Sequence, residues 1–75
     1  MKPTVKVIGS LIETAGFSEK EFDVPAGTTV GGLTALLTID RTRPVIITRN
    51  GHAAADGDEV ASGDRVVVSP VYSGG

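Results

Sequence analysis

The chain has 75 residues, enough for one small domain near the lower limit of a self-sufficient hydrophobic core. It contains no cysteine, which excludes disulfides, zinc–thiolate sites and a thiol nucleophile, and fits a reducing compartment. Seven basic and nine acidic residues give a net charge of −2, and only Phe17, Phe22 and Tyr72 offer stacking surfaces, so no nucleic-acid partner is expected.

The first residues, Met1 to Gly9, lack the continuous apolar stretch of a secretion signal, and no run approaches the length needed to cross a bilayer. The expectation is a cytoplasmic protein without a membrane partner. Thr4-Val5-Lys6-Val7-Ile8 is β-branched and alternating, a strand with Val5 and Val7 on one face and Lys6 in solvent. Gly9-Ser10 interrupts it, and Leu11-Ile12 is expected to continue the strand past a bulge before the turn at Thr14-Ala15-Gly16. From Phe17 to Val24 a second alternation places Lys20, Phe22 and Val24 opposite Glu19, Glu21 and Asp23, the antiparallel partner of the first strand.

Pro25-Ala26-Gly27 stops that strand, and Thr28 or Thr29 can cap a helix. Val30, Leu33 and Leu37 recur at helical spacing, with Leu36 broadening the stripe, so this is the main core helix. Gly31 and Gly32 are costly inside a helix, and close approach to the sheet accounts for them. No Gly-Lys-Ser/Thr follows, which removes the phosphate-loop reading. Asp40 to Arg43 is a polar connection. Pro44-Val45-Ile46-Ile47-Thr48-Arg49 reads as a strand apolar enough for the sheet centre. Asn50-Gly51 suits a tight turn, after which His52 to Ala55 pairs back briefly. A loop through Asp56, Asp58, Glu59 and Asp64 leads to the last strand, Arg65 to Val71. The fold class expected is α+β, one main helix packed across a mixed sheet of four to five strands. Residues 1–71 form the domain and residues 72–75 a flexible C-terminal Gly-Gly tail.

The acidic loop fails the pattern of a calcium loop, because Val60 stands where the next ligand is needed, so a solvated turn is expected and no metal. His52, the sole histidine, lies beside a turn with no partner suggested by spacing. No serine sits in a Gly-x-Ser-x-Gly elbow, so the chain is not expected to be an enzyme or to bind a cofactor.

What is left is the C-terminal sequence Val71-Tyr72-Ser73-Gly74-Gly75. Two terminal glycines have a small cross-section, so a carboxylate on Gly75 fits a narrow slot that side chains would block. A carboxylate is a poor electrophile, but an ATP-using partner can convert it to an acyl-adenylate open to sulfide or an amine.

These residues resemble the ubiquitin-like sulfur carriers of the MoaD/ThiS family. The resemblance spans essentially the whole chain. It rests on the hairpin, the helix around Val30–Leu37, the Val-Ile-Ile-x-x-Asn-Gly segment at 45–51, Ser62-Gly63-Asp64-Arg65-Val66, and Pro70-Val71-Tyr72-Ser73-Gly74-Gly75. It implies a β-grasp fold and a thiocarboxylate on Gly75, with Val71, Tyr72, Ser73 and Gly74 guiding the tail. It also implies three partners: an E1-like adenylating enzyme that uses ATP, a sulfur donor enzyme, and a synthase that accepts the sulfur. The recipient is molybdopterin or thiamine biosynthesis or tRNA thiolation. Because Gly75 ends the sequence, no processing protease is expected. The molybdopterin-type carriers typically read Pro-Pro-Val-x-Gly-Gly, whereas this tail carries both Tyr72 and Ser73 before its glycines and is one residue longer. Conjugation of Gly75 to lysines, as in a ubiquitin-like modifier, and a non-covalent binding module with an inert tail are the alternatives.

An apolar docking patch for the activating partner is expected on the sheet face opposite the helix. It is formed by either Val66 and Val68 or Val67 and Ser69, since strand alternation sends the other pair to the core.

Overall fold

A computed structural model describes residues 1–39 and 44–71. The connection Asp40 to Arg43 and the segment Tyr72 to Gly75 lie outside the described residues. The elements in order are β1 (Thr4–Val7), α1 (Leu11–Ala15), β2 (Glu19–Glu21), α2 (Val30–Thr34), β3 (Val45–Arg49), β4 (His52–Ala53) and β5 (Arg65–Pro70). They build a five-stranded sheet in the order β2-β1-β5-β3-β4. Strands β1 and β5 run parallel and every other pair is antiparallel, so the sheet is mixed as expected.

The alternation in β1 holds: Val5 and Val7 are buried and Lys6 faces outward. Beyond Ile8 the chain departs from expectation. Leu11–Ala15 is a short helix, not a bulged continuation of the strand. Gly16 closes it in the left-handed region at φ 86°, its N–H donating to the Ile12 carbonyl at 2.9 Å. Leu11 gains burial from this turn, and a strand continuing straight on would carry it off the end of the sheet.

Strand β2 pairs antiparallel with β1 and lies at the sheet edge, with Glu19 to Glu21 all exposed. Lys20 is on the inner side of this edge but stays solvated. Its Nζ lies 5.9 Å from the Phe17 ring centre and 5.3 Å from that of Phe22, a cation–π cover over two half-buried rings.

Helix α2 starts where expected, with the Thr29 hydroxyl accepting from the Gly32 N–H at 3.1 Å. The buried stripe of α2 and the turn that follows it is Val30, Leu33, Thr34 and Leu37, an i, i+3, i+4, i+7 set, so the helix ends at Thr34, short of the Leu37 expected from the spacing. Leu36 is 59% exposed, which corrects its assignment to the stripe. Thr34 occupies the inward position instead, because its hydroxyl donates to the Gly31 carbonyl at 3.1 Å and so enters the core satisfied.

Gly31 meets a loop and not the sheet. Its N–H donates to the Asp56 carbonyl at 2.9 Å, and a Cβ there would lie 3.1 Å from Asp56 Cβ. The N–H of Val30 likewise donates to the Asp58 carbonyl at 2.7 Å, so the first turn of α2 is docked on residues 56–58.

The sheet centre is β5, flanked by β1 and β3, and not β3 itself. Strand β4 pairs only with Thr48 and Arg49, and Ile46 is 51% exposed. The hairpin turn is as expected, with Asn50 at φ 53° and Gly51 at φ 83°. The core joins Val5, Val7, Val66 and Val68 from the sheet to Val30, Leu33 and Leu37 from the α2 region, with Leu11, Val24 and Val60 closing the margins.

Candidate functional site

Strand β5 carries the chain from the core to its C-terminal segment, so the two faces of this strand define the site. Val66 and Val68 are fully buried beneath α2. Val67 and Ser69 therefore face the opposite side, and of the two candidate sets it is this one that can meet a partner. Register extends that outer face across the sheet. Val67 stands beside Lys6 on one side and Thr48 on the other, and Ser69 pairs with Ile46. Ile8 follows Lys6 by two residues and is 40% exposed.

Val71 continues the outward parity of Val67 and Ser69 and is 45% exposed. Ile8, Ile46 and Val71, with half-buried Val67, thus form an apolar strip around Ser69 at the C-terminal end of β5. At the other end of the strand the same face is charged, where Arg65 Nη1 pairs with Glu19 Oε1 at 2.8 Å. An apolar strip closing on a polar margin is the composition of a docking surface. Ile46 could not be read from the sequence because Val45-Ile46-Ile47 is an unbroken apolar run, in which alternation leaves no trace, whereas Ile8 follows from the β1 alternation that puts it on the face of Lys6. The pairing of Ile46 with Ser69 supplies the missing phase.

Among the proposed tail residues, Val71 is described, and Tyr72, Ser73, Gly74 and Gly75 lie outside the described residues. The last described N–H, that of Val71, donates to the Pro44 carbonyl at 3.4 Å.

The acidic loop is not uniformly solvated. Asp56 and Glu59 are exposed, and Asp58 accepts from the Ala55 N–H at 2.9 Å as a turn closure. Asp64 is buried, which corrects its assignment to a wet turn. Its carboxylate accepts from Asn50 Nδ2 at 2.9 Å, from the Ala61 N–H at 2.8 Å and from Arg49 Nη1 at 3.2 Å. Asn50 completes the link with its Oδ1, which accepts from the Arg65 N–H at 2.9 Å. The Asn50 amide foremost, then the Ala61 N–H, hold the Asp64 carboxyl below the ordinary carboxylate range against the opposing effect of burial, with Arg49 helping. The group fixes the β3–β4 turn to the root of β5 and is structural chemistry. His52 is exposed at the start of β4, beside the turn as expected.

No helix among the described residues is long and apolar enough to cross a membrane. The family model described as the ThiS family matches residues 5–75. No curated protein matches the sequence. Among solved structures, SAMP1 from Haloferax volcanii is 27% identical with a TM-score of 0.80, the match covering 100% of both chains. A protein from Pyrococcus furiosus proposed to be molybdopterin converting factor subunit 1 is 26% identical at a TM-score of 0.83, covering 96% of this chain and 99% of that one. Urm1 from Trypanosoma brucei, at 21% identity, has a TM-score of 0.69 with 99% and 95% covered, a likeness of fold alone. The architecture is accordingly the β-grasp of ubiquitin-like proteins.

Proposed function

Because the chain belongs to the ThiS family, we propose that it is a sulfur carrier whose reactive group is the carboxylate of Gly75. The observation that carries this reading is the family match running to residue 75, through the Gly74-Gly75 end. In the first step the Gly75 carboxylate attacks the α-phosphate of ATP, forming an acyl-adenylate and releasing pyrophosphate. Hydrosulfide then adds to the activated carbonyl and AMP leaves, with loss of one proton, giving the thiocarboxylate. An E1-like enzyme supplies the ATP site and a sulfur donor enzyme the sulfide equivalent. The chain is a co-substrate of these partners and not itself the catalyst, and the thiocarboxylate passes to a synthase of cofactor biosynthesis or tRNA thiolation.

Residues 1–71 are the body that is recognised, and residues 72–75 are the part that enters the partner's site. The apolar strip of Ile8, Ile46, Val67 and Val71 supports this division. A partner seated there lies directly at the root of the reactive segment.

A second reading draws on SAMP1, which is named a small archaeal modifier protein. The same adenylate opened by a lysine amine gives an isopeptide bond. Trypsin cuts after Arg65, so conjugation leaves a Val66–Gly75 remnant on target lysines, and a lysate without such remnants removes this reading. Deleting Gly75 tests both against a non-covalent module. Activity that survives the deletion contradicts any chemistry at the terminus.

A further inference from the structure

Asn50-Gly51 shapes the turn between β3 and β4, and the same two residues form a reactive pair that plays no part in chemistry at Gly75. The amide carbon of an asparagine side chain, Cγ, is open to attack by the backbone nitrogen of the next residue. A cyclic succinimide forms as ammonia leaves, and water then opens the ring to aspartate or isoaspartate. Glycine in second place removes the side chain that would crowd the attacking nitrogen. At Gly51 nothing lies within 4 Å of where a Cβ would stand. Asn50 is exposed, so water reaches it.

The folded turn withholds this reaction in two ways. The φ values of 53° at Asn50 and 83° at Gly51, in a loop closed by the Arg49–His52 pair, are those of a type I′ turn. Such a turn sets the ψ of Asn50 near about +30°, which leaves the Gly51 nitrogen nearly anti to Asn50 Cβ. Ring closure requires the two to be eclipsed. The side chain is also tethered at both polar atoms. Nδ2 donates to Asp64 Oδ1 at 2.9 Å, and Oδ1 accepts from the Arg65 N–H at 2.9 Å. Cγ cannot swing toward Gly51 until both bonds break. That opening is local: β4 is His52–Ala53 alone, exposed and paired only with Thr48 and Arg49, so the hairpin end opens without the core.

The product does not fit the place its parent leaves. With aspartate at position 50, one carboxylate oxygen still accepts from the Arg65 N–H. The other replaces Nδ2 and meets Asp64 Oδ1 with no proton between them, and two carboxylates at that distance repel. Isoaspartate adds a backbone methylene to a loop whose length fixes the strand register. From the tether, the turn and the misfit of the product, we propose that Asn50-Gly51 is a self-modification site, held shut by Asp64 and Arg65 and opened when the β3–β4 turn lets go. Ammonia is lost for good, so conversion is a one-way release of that turn from the start of β5.

The test follows amide-to-acid conversion of the full chain at neutral pH, in buffer and across a urea series, by fragmentation mass spectrometry of the Asn50–Arg65 tryptic peptide. The fully unfolded chain sets the reference rate. The native chain should convert at least about tenfold more slowly, the worth of two side-chain hydrogen bonds. Below the unfolding transition its rate should be flat in urea, because a local opening exposes little surface. Asp64→Ala unties Nδ2 and should convert about 3- to 10-fold faster than the parent in buffer. A native rate equal to the unfolded one overturns the closed site. A rate that climbs from the first addition of urea, or an Asp64→Ala rate equal to the parent's, overturns the local gate. If Asp64→Ala does not fold, the parent's urea profile decides the gate. Asn50→Asp, the product made directly, should lower the urea midpoint, and adding Asp64→Asn, which returns a donor between the two positions, should recover part of the loss. A double variant no more stable than the two single losses predict overturns the misfit.

Discussion

Asn50 and Asp64 hold the two ends of the β3–β5 crossing together: Asn50 Nδ2 donates to Asp64 Oδ1 at 2.9 Å, while Asn50 Oδ1 accepts from the Arg65 N–H at 2.9 Å. The Asn50 backbone N–H also donates to the Arg65 carbonyl at 2.8 Å. One residue in a left-handed turn therefore closes the hairpin and sets the start of the strand that delivers the C-terminal segment.

Asn50→Gly keeps the positive φ of the turn and deletes only the amide. It leaves buried Asp64 short of a donor, so the expected loss is about 1–3 kcal/mol in urea denaturation. A midpoint indistinguishable from that of the parent contradicts the assigned link.

The same carboxylate makes stability depend on pH. Its folded-state pKa lies below the unfolded value, so the ionised form is favoured by folding. The contribution is complete above the unfolded pKa of about 3.9 and is lost as pH falls through the folded value. Urea midpoints should drop as pH falls below about 4, and Asp64→Asn should be less stable at pH 5 with a shallower decline. An equally steep decline in Asp64→Asn assigns the acid sensitivity to other groups.

Helix α2 and the turn after it offer a paired comparison. Leu33 is fully buried and Leu36 is 59% exposed. Leu33→Ala should cost about 2–5 kcal/mol as a cavity, whereas Leu36→Ala should stay within about 0.5 kcal/mol. Equal costs would contradict the outward placement of Leu36.

The outer face should behave oppositely to the core. Ile46→Asp replaces an exposed apolar side chain, so folding should persist while KM for the activating enzyme rises about tenfold or more, the scale of a buried interface anchor. A variant that folds and is activated with the parent KM excludes this strip as the docking site.

How far the sequence carried each of these points varies with the physics behind it. The β1 alternation, the Asn50-Gly51 turn and the Thr29 cap are local signals, and each is found where its residues place it. Leu11-Ile12 was misread as strand because two apolar residues carry no periodicity, and the positive φ of Gly16 that ends the helix is set by the fold. Thr34 was passed over as polar, although its own helix satisfies its hydroxyl. The Asp64 link joins residues fourteen apart across two strands, which composition does not reveal. The docking strip needed the register that pairs Ile46 with Ser69. The motif at Gly74-Gly75 was plain in the sequence, and its chemistry is decided at the bench.

The most direct test is intact mass spectrometry of the chain after incubation with its activating enzyme, ATP and sulfide, alongside a chain lacking Gly75. A mass gain equal to sulfur replacing one oxygen, mapped to Gly75 and absent from the truncated chain, is the result expected of a carrier. An unmodified carboxylate in the presence of an enzyme that demonstrably turns over ATP contradicts the account.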